Sequence, residues 1–140
     1  MIRAVLDANV LVSAILSPGG PPGRILTAWR QEQFHLVVSR AILEEIGRVF
    51  HYPKIARRHR WSEEEIQTFL DELEYFAIPT PGDLELTVVS DDPSDDRYLE
   101  CAVEGNAEYL VSGDDLLLEL GEYQGITILT PRAFLEILRG

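Results

Sequence analysis

Four acidic residues from four separate segments, Asp7, Glu45, Asp96 and Asp114, fall at the edges of apolar patterns rather than on polar faces. Brought together in one fold, such carboxylates repel one another and take up protons unless a cation lies between them. A hard divalent ion, Mg2+ or Mn2+, prefers oxygen ligands and relieves that repulsion. The chemistry this set could support is metal-assisted hydrolysis, in which one or two ions acidify a water and stabilise developing negative charge. No Cys or His stands at the strand ends described next, so no side-chain nucleophile is called for.

Each acid is placed by its local pattern. Asp7 follows the apolar run Ala4-Val5-Leu6, and Asp114 follows Tyr109-Leu110-Val111-Ser112-Gly113. In Arg40–Phe50 the apolar stripe is Ile42, Leu43, Ile46, Val49 and Phe50; Glu45 flanks it, whereas Glu44 falls with Arg40, Gly47 and Arg48 on the polar face. Within Asp91–Asp96, Asp92 reads as an N-cap and Asp95 as a first-turn acid beside Pro93. Asp96 aligns with Leu99 and Val103 and is the acid that capping explains least. Asn9, Ser13 and Ser112 are polar groups suited to orienting carboxylates or water. Taken singly, any of these acids has an ordinary explanation as a turn or cap residue. Four inward-facing registers together are the stronger signal.

Positioning these acids requires strands whose carboxyl ends meet. Apolar runs suited to buried strands occur at Arg3–Asp7, Phe34–Val38, Tyr75–Ile78, Tyr109–Ser112 and Ile126–Leu129. Helical patterns lie between them, at Pro22–Arg30, at Arg40–Phe50 after Ser39, and from Ser62 to about Tyr75, where Glu65 completes a capping box. Another runs from Asp92-Pro93 to Val103, and Thr130-Pro131 opens the last. This alternation predicts one α/β domain over residues 1–140, with a parallel sheet covered on both faces. Reaction sites in such folds lie beyond the carboxyl ends of the strands, near the switch in strand order.

Composition bounds the possibilities. An apolar fraction of 46% and a charged fraction of 26% suit a folded domain and argue against disorder. No apolar run reaches the roughly 20 residues that cross a bilayer, and no signal-peptide pattern is visible at the start. Cys101 is the one cysteine, which excludes a disulfide framework and a cysteine-based zinc site and suits a reducing cytoplasm. The net charge of −12 runs against ordinary nucleic-acid binding. A polyanionic partner therefore needs bound cations and a local basic patch. Arg48 and the segment His51-Tyr52-Pro53-Lys54-Ile55-Ala56-Arg57-Arg58-His59-Arg60-Trp61 supply one. Its cations Lys54, Arg57, Arg58 and Arg60, with two aromatics, suit phosphates and unpaired bases; a solvated connecting segment or a site for an acidic partner protein are the other readings.

The pattern resembles a PIN domain over nearly the whole chain. The likeness rests on Val5-Leu6-Asp7-Ala8-Asn9-Val10-Leu11, Val38-Ser39-Arg40-Ala41-Ile42-Leu43-Glu44-Glu45-Ile46, Asp92 to Ala102, Tyr109 to Asp114, and Ile126 to Pro131. The similar group within the family is the toxin nucleases of prokaryotic toxin–antitoxin pairs. The resemblance implies a Rossmann-like three-layer α/β/α domain with a five-stranded parallel sheet ordered 3-2-1-4-5. It also implies Mg2+- or Mn2+-dependent ribonuclease activity, frequent homodimers, and often an antitoxin that occludes the site. The family acids map onto Asp7, Glu45, Asp96 and Asp114. Where the family commonly has a further residue after Asp114, Asp115-Leu116-Leu117 follows directly, so Asp115 joins the supporting candidates. A PIN-like binding module without activity is the non-enzyme alternative. Receiver and haloacid-dehalogenase-like domains fit less well, since Lys54 lies far upstream of any late strand and Asn9 stands where the phosphatase needs an aspartate.

Overall fold

In the computed structural model, which describes residues 1–89 and 91–140, strand β1 (Arg3–Leu6) runs between and parallel to β2 (His35–Val38) and β4 (Tyr109–Val111). Ala4, Val5 and Leu6 are all no more than 2% exposed. Successive strand side chains point to opposite faces, so burial of consecutive residues means that both faces of the sheet are covered. β3 (Ile78–Pro79) extends the sheet beyond β2, and β6 (Ile126–Leu129) beyond β4.

A sixth strand, β5 (Glu122–Tyr123), pairs antiparallel with β6 and gives the order β3-β2-β1-β4-β6-β5. The sheet thus departs from the expected five parallel strands. The cause is a two-residue hairpin turn, Gln124-Gly125, with φ of 49° and 84°. Positive φ at both central positions is the geometry that matches strand twist in such turns. A two-residue strand is too short to carry readable periodicity.

The third strand also starts later than its apolar run suggests. Helix α5 (Glu63–Phe76) retains Tyr75 and Phe76. Its start is fixed by the reciprocal Ser62–Glu65 capping bonds, both 3.1 Å, and its buried stripe Ile66, Phe69 and Leu73 carries the helix onward. The remaining helices are α1 (Ala8–Leu16), α2 (Pro21–Arg30), α3 (Arg40–Phe50), α4 (Pro53–His59), α6 (Asp96–Glu104), α7 (Asp115–Leu120) and α8 (Pro131–Arg139), with a 3-10 turn, Pro93–Asp95, leading into α6. Helix α1 packs on α2 and α3, α3 on α5, α2 on α8, and α6 against β1 and β4. Gly23 permits the close approach of the preceding loop, because a Cβ there would lie 2.1 Å from the Pro18 carbonyl oxygen. No helix among the described residues is long and apolar enough to cross a membrane.

Candidate active site

The floor of the site follows from strand register. Leu6 stands beside Val111, and the Asp7 N–H donates to the Val111 carbonyl at 3.0 Å, so β1 and β4 release their chains side by side. Asp7 caps α1, one carboxylate oxygen accepting from the Asn9 N–H at 2.9 Å and the other from the Ser112 hydroxyl at 2.8 Å. That buried hydroxyl oxygen also accepts from the Asp114 N–H at 2.9 Å. Asp114 in turn caps α7 by accepting from the Leu116 N–H at 2.8 Å. Ser112 therefore ties the two strand-end acids to one point.

The 3-10 turn brings in the third wall. Asp92, Asp95 and Asp114 each place one oxygen within 4.8 Å of the others. Asp95 is 4% exposed, and among the described residues its Oδ2 is the one buried side-chain oxygen or nitrogen without a hydrogen-bond partner. A cleft of about 480 Å³ opens here, lined by Asp7, Asp92, Asp95 and Asp114 and, on the α3 side, by Glu45 and Arg48.

Burial and mutual repulsion set the electrostatics. The Asp95 carboxyl is pushed up to about 7, first by burial and then by Asp114, Asp92 and Asp7. Asp7 is raised as well, chiefly by burial; its bonds from the Asn9 amide, Ser112 and Tyr98 oppose the rise, and Asp114 adds to it. Tyr98, whose phenol oxygen accepts from the Ala8 N–H, is held protonated by burial and by Asp7. The donors are carboxylates alone, crowded together with one oxygen left unsatisfied. That is a set matched to a hard divalent cation.

A family model described as PIN domain matches residues 3–116. The chain belongs to the PIN domain family. PIN domains are a nuclease-type family and generally use divalent metals, which agrees with the acidic cluster. An uncharacterized protein, MJ1680 of Methanocaldococcus jannaschii, is 29% identical over 143 residues, covering 96% of this chain and 90% of that protein. The crystal structure of PAE2754 from Pyrobaculum aerophilum superposes with a TM-score of 0.61 at 18% identity, covering 99% of this chain and 90% of that one. The latter likeness is one of fold.

In this PIN domain, Asp7, Glu45 and Asp114 line one cleft together with Asn9 and Arg48. Glu45 is engaged by Arg48 of its own helix, at 2.7 Å. Asp96 does not line the cleft. Its carboxylate Oδ1 accepts from the backbone N–H groups of Val88 and Val89 at 3.1 and 2.9 Å. The acid that turns inward is its neighbour Asp95, with Asp92 beside it, and both had been accounted for by capping alone. Asp92 does cap the turn, accepting from the Ser94 N–H at 3.1 Å, and still contributes an oxygen to the cluster. The signal for Asp95 was present in the sequence. Tyr98, Leu99 and Ala102, three, four and seven residues on, are all buried and form one helical stripe with it.

Ser13 and Asp115 lie off the cleft, Asp115 being an exposed first-turn residue of α7. Lys54, Arg57, Arg58 and Arg60 lie along and just beyond α4, with no ion pair among the described residues. Trp61 is not free for a base, since its ring stacks on Phe50 at 5.5 Å and 18°. Tyr52, half exposed, is the aromatic that lines the cleft. Cys101 is buried, with its thiol pushed up to about 12 by desolvation, and offers no nucleophile.

Proposed function

We propose that this PIN domain is a ribonuclease that hydrolyses phosphodiester bonds with Mg2+ or Mn2+ held by Asp92, Asp95 and Asp114, with Asp7 beside them. The observation that carries the reading is the buried Asp95 carboxylate, its Oδ2 without a partner, clustered with the carboxylates of Asp92 on the 3-10 turn and Asp114 beyond β4. When bound, a divalent ion supplies positive charge for a phosphoryl oxygen and lowers the pKa of water. Ser112 and the Asn9 amide hold Asp7 in one rotamer, and Asp114 is fixed by its cap. Glu45 reaches the same cleft from α3, where Arg48 of its own helix orients it. Tyr52 presents a ring at the cleft, and the free cations of α4 continue from it, which suits a strand with unpaired bases.

The decisive assay is cleavage of a labelled RNA by the purified chain with added Mg2+ or Mn2+. Activity is expected to disappear with a chelator and in Asp7→Asn and Asp95→Asn. Undiminished cleavage by Asp95→Asn would overturn the assignment, and a metal-loaded native chain that leaves RNA intact would favour the binding-module alternative. A toxin role, with an antitoxin partner and a homodimer, belongs to the same proposal and rests on family membership; growth arrest on expression, relieved in Asp95→Asn, tests the toxin role.

A further inference from the structure

The segment from Gly82 to Val89 lies along α6 and belongs to no strand of the sheet. Six of its eight backbone N–H groups are nevertheless taken up, and the acceptors are three carboxylates at four-residue spacing on α6. Glu104 accepts from Gly82, Asp83 and Leu84 at 3.0–3.2 Å. Glu100 accepts from Leu86 at 2.8 Å, and Asp96 from Val88 and Val89. Glu100 is further held by Arg97 at 2.7 Å. The two periods agree: four helical residues rise about 6 Å, and two extended residues span about 6.6 Å, with alternate N–H groups on one edge. Going back along α6 from Glu104 to Asp96 therefore keeps step with going forward from Leu84 to Val88. Side-chain oxygens act here as the partner strand.

The last rung adjoins the cluster. Val88 and Val89 hang on Asp96, and the Asp92 N–H donates to the Val89 carbonyl at 3.2 Å. Asp92 is the cluster acid reached from this segment, and Asp95 immediately precedes Asp96 in the chain.

We infer that Asp96 is a positioning residue, whose carboxylate clamps the Val88–Val89 backbone and so sets Asp92 in reach of Asp95 and Asp114, with Glu100 and Glu104 fixing the register behind it. This rests on the reading of the cluster as a cation site. It assigns Asp96 a task that needs an acceptor oxygen and no negative charge. Asparagine keeps that oxygen and alanine does not.

The test is Mn2+ titration calorimetry on the full chain, joined to amide hydrogen exchange of Val88 and Val89 measured without metal. Asp96→Asn is expected to keep both amides protected and Mn2+ affinity within about threefold of native. Asp96→Ala should expose both amides and weaken Mn2+ about 10-fold or more, the usual scale for groups that support metal ligands. Asp95→Asn should lose Mn2+ while leaving both amides protected. If Asp96→Asn loses Mn2+ as Asp95→Asn does, with its amides still protected, the charge of Asp96 is required and the inference is overturned. Should Asp96→Ala fail to fold, the two asparagine variants decide alone. Native protein that binds no Mn2+ removes the metal reading and the inference resting on it. Unchanged exchange in Asp96→Ala removes the clamp even when Mn2+ binds.

Discussion

Two sets of buried acids lie within a few residues of each other and differ in what their oxygens touch. Asp96 and Glu100, 3% and 7% exposed, accept from backbone amides and, for Glu100, from Arg97. Asp95 is equally buried, yet one of its oxygens has no donor and its carboxylate is crowded by those of Asp92 and Asp114. Burial alone does not distinguish these groups. A buried carboxylate with its donors in place is a structural element, whereas one left short of donors and crowded by like charge marks a place for a cation.

The largest expected effect follows directly. At a Mn2+ concentration 100 times the dissociation constant, binding to the native state adds about 2.7 kcal/mol of stability. Native protein should therefore melt higher as Mn2+ is added, and Asp95→Asn should show no such rise. Equal gains in both proteins would place the ion elsewhere and erase the distinction between the two sets.

Without metal, the same comparison predicts a dependence on pH. In the folded chain Asp95 is raised from 3.8 to about 7, so between those values the native state binds more protons than the unfolded state. Its contribution to stability is fully present below the unfolded value and is lost as pH rises through about 7. The groups facing it are Asp7, Asp92 and Asp114, all of one sign, and Asp7 is raised in the same sense. His51, raised by the Gly47 carbonyl and by Glu63, loses stabilisation as pH rises above 6.5. Metal-free native protein should thus melt lower at pH 8 than at pH 5. Asp95→Asn removes the Asp95 part and leaves that of His51, and a melting difference unaltered in Asp95→Asn would show that Asp95 is ionised throughout. Since binding needs the deprotonated carboxylates, Mn2+ affinity should move the opposite way and strengthen with pH.

Much of the fold was legible because apolar runs and caps are local signals. The parallel strands, the Ser62 capping box and the strand-end positions of Asp7 and Asp114 all follow from a few adjacent residues. β5 was hidden by its length, and its turn residues, Gln124-Gly125, are a weak hairpin signature. The Gly82–Val89 segment was hidden for a different reason: its partners are helix side chains, and no pattern within the segment announces them. Asp95, and not Asp96, turns into the cleft, a difference of one residue of helical phase. Aligning Asp96 with Leu99 and Val103 overlooked that Tyr98, Leu99 and Ala102 are the more deeply buried stripe. The 3-10 turn at Pro93–Asp95 then aims Asp95 into the cleft.

The cations divide by the same criterion as the acids, and here the expected effect is smallest. Arg30, Arg48 and Arg97 are each paired with a glutamate at 2.7 Å. Arg57 and Arg58 on α4 have no such partner among the described residues and so remain free for phosphates. Each phosphate contact on a single strand contributes about 0.7 to the slope of log affinity against log salt. Replacing Arg57 and Arg58 with alanine, in an inactive Asp7→Asn background, should therefore flatten that slope by about 1.4 for a short RNA. Replacing Arg30 should leave it unchanged, because its guanidinium is already committed to Glu72. If Arg30→Ala flattened the slope as much, overall charge rather than free groups would govern association, and the α4 surface would lose its claim as the path of the strand.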